Sequence, residues 1–405
     1  MNLRRKPTRS DGKRTLQNLL NSALKLFALY GYHGVSTPMI AKKANVKTAT
    51  FYQYFTDKDA IYKKLLSKAI FLFENNMKRV EGKLLEDRLR KFVENYLLFF
   101  AENPEYYRIL HEAVYLKKRV FEKIQKILDS TVNQICQIDD PIDQMVLRWF
   151  ITGPTRFIAI YNSLNSNYKV DEKVVEEIID FTLNGIDPDN HEVMDEVFKI
   201  DVKPIALETA TTRMKILQAA EKLFGSRGYK NTQVSDIAKA ARVASGTVYV
   251  YFQSKEQILE ELVMSTNRNL RLTLSTAIKR FEDRRDAEIA GYYTFLRFFS
   301  LHRNMYLIVR QAEFFNPEIS RNYYRKIFES YLPPLEKAIS AGQFRKISPQ
   351  TLALIFMGIG HFMGEDLVVK NYASNVDVKE HLLRLSLYIY KGLAVKEKET
   401  SSLKK

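Results

Sequence analysis

Cysteine is almost absent: Cys136 is the only one in 405 residues. That excludes a disulfide framework within the chain and fits work in a reducing cytosol. Glycine and proline are sparse, at 15 and 11 residues, which argues against turn-rich β folds and low-complexity chains and in favour of helix. Paired-cysteine and His-Glu-x-x-His metal spacings are missing, as are a glycine-rich phosphate loop and a Gly-x-Ser-x-Gly turn. No catalytic residue, metal ligand or cofactor is therefore expected, and a non-enzymatic role follows. The first 20 residues lack the apolar core of a signal peptide. The longest apolar runs, 352–364 and 146–161, are too short for a bilayer or interrupted by His361, Arg148 and Arg156. Both read as core or interface helices, with no membrane span.

What the chain has in excess is positive charge and internal repetition. The formal charge is +16, a field that favours polyanions. It is unevenly spread: residues 1–80 hold 16 lysines and arginines against 4 acids, and residues 210–280 hold 12 against 5. Residues 187–208, between them, hold 2 against 7. The two basic regions are copies of each other. Residues 20–58 recur at 217–255 without a gap, with 17 of 39 positions identical. A fixed-spacing repeat of this kind marks one compact unit used twice.

Apolar residues recur at spacings of three and four almost throughout, so an all-α fold is expected. In the first copy a helix is expected over 14–30, stopped by Gly31. A short helix follows over 38–44, with Thr37 as its start signal ahead of Pro38. After a turn at 45–47 comes a second short helix over 48–55, and another begins near Asp57. In the second copy, Ser254-Lys255-Glu256-Gln257 has the form of a capping box. Two short helices behind a three-residue turn, framed by longer ones, make a helix-turn-helix, whose second short helix can enter a major groove. Phe51 and Phe55, four apart, should be buried, as should Val248 and Phe252. The opposite face carries small residues and a tyrosine: Thr48, Ala49 and Tyr52 in one copy, Ser245, Gly246 and Tyr249 in the other.

The frame Phe27-x3-Gly31-Tyr32, Ile40-Ala41-x2-Ala44-x-Val46, Thr50-x-Tyr52-x-Tyr54-Phe55-x2-Lys58 resembles the TetR (tetracycline-repressor-like) family. The second copy fits better, through Gly246-Thr247-Val248-Tyr249-Val250-Tyr251-Phe252 and Ser254-Lys255-Glu256. The resemblance implies base contacts from Thr48, Ala49, Tyr52, Ser245, Gly246 and Tyr249. It implies phosphate contacts from Thr50, Tyr54, Lys58, Thr247, Tyr251 and Lys255. Thr37 and Lys47 are further candidates for the DNA face. Lys47 and Ala244 stand where the family often has serine. The greater charge of the first head predicts that Lys58 contributes more salt-dependent affinity than Lys255. The run Arg4-Arg5-Lys6-Pro7 can follow DNA or serve only as a solubility tail.

The expected plan is two tandem units. An arm at 1–12 precedes a head at 13–58 and a helical regulatory domain at 59–186. An acidic linker at 187–212 leads to a second head at 213–255, a second regulatory domain at 256–395 and a charged tail at 396–405. By resemblance, each regulatory domain binds a small ligand and supplies dimerisation helices, here 141–186 and 349–393. Gly153-Pro154 should kink the first pair, and Gly360 with Gly364 should allow close approach in the second. Aromatic clusters around Tyr96–Tyr115 and Tyr292–Phe315 are candidates for an apolar pocket, with His111, His302 and His361 as possible orienting groups; core packing is the plainer alternative, and the ligand-binding residues are unknown. The expected function is a cytoplasmic, ligand-responsive repressor binding a double-stranded operator, with two recognition helices in successive major grooves. The expected effector is a small apolar or aromatic molecule. Two arrangements stay open, an intramolecular pseudo-dimer and a homodimer with four heads. A constitutive DNA-bridging scaffold and, more remotely, an enzyme built in the helical pockets are the competing functions.

Overall fold

Why the chain breaks where it does follows from a few residues with special backbone requirements. The computed structural model describes residues 10–138, 140–165, 170–205, 211–370 and 376–393. The basic run at 4–9 and the tail from 396 lie outside them. The described residues are helical, without a strand among them, and fall into two compact units, 1–136 and 137–405.

The first unit holds α1 (Ser10–Tyr30), α2 (Thr37–Lys43), α3 (Thr48–Tyr54), α4 (Lys58–Met77), α5 (Leu85–Glu102), α6 (Pro104–Leu116) and α7 (Lys118–Ile135). Gly31 ends α1 at φ 69°, in the left-handed region that favours glycine. Asn45 turns between α2 and α3 at φ 56°, and asparagine tolerates that conformation better than most residues. Ser36, not Thr37, caps α2, accepting from the Met39 amide at 3.4 Å. Asp57 caps α4 through the Ala60 amide at 2.8 Å.

The second unit begins with the last helices of the first repeat: α8 (Pro141–Leu147), α9 (Gly153–Leu164) and α10 (Glu172–Asn184). It continues with the second repeat: α11 (Thr212–Arg227), α12 (Val234–Ala241), α13 (Ser245–Tyr251), α14 (Lys255–Ile278), α15 (Arg284–Leu301), α16 (Arg303–Phe315), α17 (Pro317–Ser340), α18 (Pro349–Gly364) and α19 (Val378–Lys391). The boundary expected at 187–212 is thus not where the chain divides. The reason is that α9 packs lengthwise on α18, and α8 and α10 pack on α19. The first repeat's closing helices share a core with the second repeat rather than with their own head.

This junction has the reciprocity of a two-fold interface. Ile186 N donates to Ile389 O at 3.0 Å, and Leu393 N donates to Thr182 O at 2.9 Å. Gly185 and Gly392, at φ 63° and 64°, make the two matching turns. Each surface meets its counterpart in the other repeat, as in an isologous dimer contact. The helices α9 and α18 approach closely at Gly153 and Gly358: a Cβ on Gly358 would lie 2.6 Å from Gly153 O. Gly360 and Gly364 do not serve helix approach as expected. They face aromatic rings instead, Tyr292 at 3.2 Å and Phe295 at 2.9 Å from where a Cβ would stand.

The kink expected at Gly153-Pro154 is a π-helical turn, Arg148–Thr152, ahead of α9. Widening the turn there suits a helix continued by proline, which has no amide to donate. A second π turn, Glu365–Val369, extends α18. The continuous helix 349–369 is apolar and long enough to cross a membrane, yet it is buried entirely within the fold. The acidic linker is likewise folded where it is described. Val197, Ile200 and Val202 are buried, and Asp187 pairs with Arg285 at 2.5 Å. His191 Nε2 and Met194 N meet the buried Asp286 carboxylate, each at 2.9 Å.

Gly358→Val should lower stability by about 1–3 kcal/mol through overpacking. Gly291→Ala, where a Cβ meets nothing within 4 Å, should raise it by roughly 0.5–1 kcal/mol. Thermal unfolding of the two variants side by side tests the assignment.

Candidate nucleic-acid interface

A helix that reads DNA needs one face anchored and the other bare. In α3, Phe51 and Phe55 are fully buried and pack at 5.6 Å between ring centroids. In α13, Val248 and Phe252 do the same anchoring at 1% exposure each. The opposite faces are open. Ala49, Tyr52 and Gln53 are exposed in α3, with Thr48 and Thr50 half-buried. Ser245, Gly246, Tyr249, Val250 and Tyr251 are exposed in α13, with Thr247 half-buried. No side chain caps the start of either helix, and nothing lies within 4 Å of a Cβ on Gly246. Lys47 is exposed beside the first amides of α3. The Thr37 and Tyr52 hydroxyls lie 3.4 Å apart, so the capping role that passed to Ser36 leaves Thr37 to steady the tyrosine.

Three residues expected at phosphates are engaged within the fold. Tyr54 is 8% exposed, because its position on α3 turns it toward the core; only its counterpart Tyr251, 41% exposed, faces out. Lys58 donates to Tyr32 O at 2.9 Å and lies 4.3 Å over the Tyr32 ring. Lys255 donates to Tyr229 O at 2.9 Å and Thr232 O at 2.8 Å, 4.3 Å over the Tyr229 ring. Burial holds both ammonium groups below the usual lysine range. Each is at the start of a helix and reaches back to carbonyls of the turn that follows the framing helix, α1 or α11, so both tie that turn in place.

The same turn is held from the other side by residues that the sequence did not single out. In the first unit the Glu112 carboxylate on α6 accepts from the Tyr32 amide at 3.0 Å through both oxygens. In the second, Gln311 on α16 accepts from the Tyr229 amide at 2.7 Å and donates to Phe224 O at 3.0 Å. One peptide in each head is thereby fixed to the body helix beneath it. A polar residue within an apolar helix face was the only signal, and it does not name its partner. The expected capping box at 254–257 is half formed: Ser254 accepts from Gln257 N at 3.2 Å, while the Gln257 side chain accepts from Gln253 N at 2.6 Å.

The second unit also holds a partly open cavity of about 510 Å³. Tyr292, Phe295, Tyr306, Tyr323, Tyr324, Tyr331, Phe356 and His361 line it, with Phe157 of α9 reaching in from the pairing helix. Three of its hydroxyls are already engaged: Tyr292 with Phe356 O at 3.0 Å, Tyr306 with His361 O at 3.2 Å, Tyr331 with Glu288 at 3.0 Å. Of the other histidines, His111 stacks on Tyr107 and His302 accepts from Ile205 N at 3.1 Å.

Two basic heads, each with an anchored helix showing small residues and a tyrosine to solvent, define a helix-turn-helix DNA-binding protein. The model for bacterial regulatory proteins of the tetR family matches residues 19–65 and again 216–262. The chain belongs to the TetR family and carries its DNA-binding domain twice; it is a transcriptional regulator and not an enzyme. It is 45% identical over 56 residues to the HTH-type transcriptional repressor KstR2 of Mycolicibacterium smegmatis, which covers 14% of this chain and 27% of that protein. It is 24% identical over 183 residues to the uncharacterized HTH-type transcriptional regulator YhgD of Bacillus subtilis, covering 44% of this chain and 95% of that one. Among solved structures, the fatty acid degradation regulator FadR of Bacillus halodurans aligns at 19% identity with a TM-score of 0.42, over 46% of this chain and 98% of that one.

Lys255→Met removes two charge-assisted hydrogen bonds and should cost about 2–4 kcal/mol; Lys58→Met removes one and should cost roughly half as much. Unfolding of each variant in denaturant gives the order. A lysine that served phosphates alone would leave both midpoints unchanged.

Proposed function

We propose that this regulator is a ligand-responsive repressor that works in the cytosol and binds one operator through two non-identical heads. The observation that carries the reading is the divergence of the two exposed faces. Gln53 is matched by Val250, which is 79% exposed on α13. A glutamine amide suits the donor and acceptor edge of adenine, whereas an isopropyl group suits the thymine methyl. Thr48-Ala49 against Ser245-Gly246 adds a second difference. Base contact from Tyr52 and Tyr249 is supported by their exposure of 41% and 55%. An operator for this chain has two unlike half-sites.

The effector site of this reading is the cavity in the second unit. Its rings and satisfied hydroxyls suit a small apolar or aromatic molecule that needs few hydrogen bonds. Phe157 is 5.2 Å, centroid to centroid, from both Tyr324 and His361. A ligand that reorders these rings acts on α9, and so favours one arrangement of the pairing helices over another.

Selection from random DNA should return sites with dissimilar halves; perfect palindromes alone would overturn the proposal. In gel shifts on a selected site, Tyr52→Ala and Tyr249→Ala should each weaken binding by about 1–3 kcal/mol without altering the thermal midpoint. Native mass spectrometry of the purified protein should find a small molecule whose removal changes DNA affinity. An affinity indifferent to its removal would mark a constitutive DNA-bridging protein.

A further inference from the structure

The two faces of the α9–α18 junction match in shape but not in charge. Arg148 and Arg156 come from the first repeat, Glu365 and Asp366 from the second. All four side chains are buried, at 8%, 8%, 2% and 2% exposure. Arg148 Nη2 meets Asp366 Oδ2 at 2.9 Å, and the same oxygen accepts from Trp149 Nε1 at 2.7 Å. Arg156 Nη2 lies 3.8 Å from Glu365 Oε2, with its guanidinium 3.5 Å over the Phe362 ring. Glu365 is also 3.5 Å from Arg310, which pairs in turn with Glu313 at 2.5 Å.

The facing glycines fix which residues are equivalent. From Gly153 the first repeat reads Gly-Pro-Thr-Arg156-Phe157; from Gly358 the second reads Gly-Ile-Gly-His361-Phe362. In that register Ala353 stands opposite in role to Arg148, and His361 to Arg156. Ile160 and Tyr161 stand where the second repeat has Glu365 and Asp366. Within the second repeat Glu365 also has Arg310, whereas Asp366 takes its arginine and its tryptophan from the first repeat. Two first repeats brought together would bury four guanidinium groups without the carboxylates of Glu365 and Asp366. Two second repeats would deprive each Asp366 of both Arg148 and Trp149. A buried charge left without its partner is far costlier than a matched pair is stabilising.

We infer that these four buried charges make the two repeats complementary to each other and incompatible with copies of themselves, so that pairing occurs within one chain and the working particle is a monomer with two heads. Removing the charges removes the discrimination while keeping the apolar faces that drive packing. The consequence for operator shape rests on the DNA-binding reading above; the pairing itself does not.

The test is the mass of the full-length protein by light scattering over a wide concentration series. The wild type is expected to keep the mass of one chain throughout. The variant Arg148→Met, Arg156→Met, Glu365→Gln, Asp366→Asn is expected to self-associate toward twice that mass. Asp366→Asn alone, which retains an acceptor for Trp149 and disturbs the fold least, is expected to raise the dimer fraction about tenfold over the wild type. A wild type at twice the mass of one chain overturns the inference, since pairing then occurs between chains. So does a single-chain mass for both variants, since the connecting segment rather than the charges would then keep the chain to itself. Gel shifts on the same samples separate this from the DNA-binding reading: a dimeric wild type that still binds selected DNA sinks the pairing alone.

Discussion

One residue in each head, through the two peptide groups that flank it, sets what the rest of the fold can do. The helix that frames the DNA-binding domain ends in a left-handed glycine, and the next residue, Tyr32 or Tyr229, has its amide and carbonyl turned away from any helix. Both groups must find partners to be buried. A lysine from the following helix takes the carbonyl, and an acceptor from the body, Glu112 or Gln311, takes the amide. That places the reading helix at a fixed attitude to the body helix of its own unit. A movement of the body helix is therefore felt by the head through hydrogen bonds rather than through a loose linker.

The two copies solve the same problem with different chemistry, which is how duplicated units diverge without losing the fold. In the first, Glu112 is a carboxylate and its charge faces that of Lys58 across the peptide. In the second, neutral Gln311 reaches two backbone groups and Lys255 reaches two carbonyls. At the pairing junction the divergence goes further. Shape stays two-fold, through the reciprocal Ile186 and Leu393 bonds, while charge becomes one-sided, through Arg148 and Arg156 against Glu365 and Asp366.

Much of the head was legible because its constraints are local. Helix periodicity, the Gly31 stop and the buried pair Phe51 and Phe55 depend on residues a few positions apart, and the described helices fall within a few residues of the expected ends. The duplication then read the same structure a second time. What failed did so where a residue's fate depends on distant chain. Lys58 and Lys255 look like free cations in sequence, and only the folded turn shows the carbonyls that engage them. Tyr54 and Tyr251 are one position by alignment and two environments by packing. The segment 187–205 is acidic and contains proline, as linkers are, yet Asp187, His191 and Val197 tie it to the second unit.

Sequence alone determined the class of fold and the number of heads, since periodicity and repetition need no knowledge of long-range contacts. Only the tertiary structure decided which helices close which core. Compactness assigns 141–184 to the second unit because those helices find their complement there, in facing glycines and opposite buried charges separated by some two hundred residues of chain. No local pattern encodes that choice, because it is the difference between two packings of the same helices.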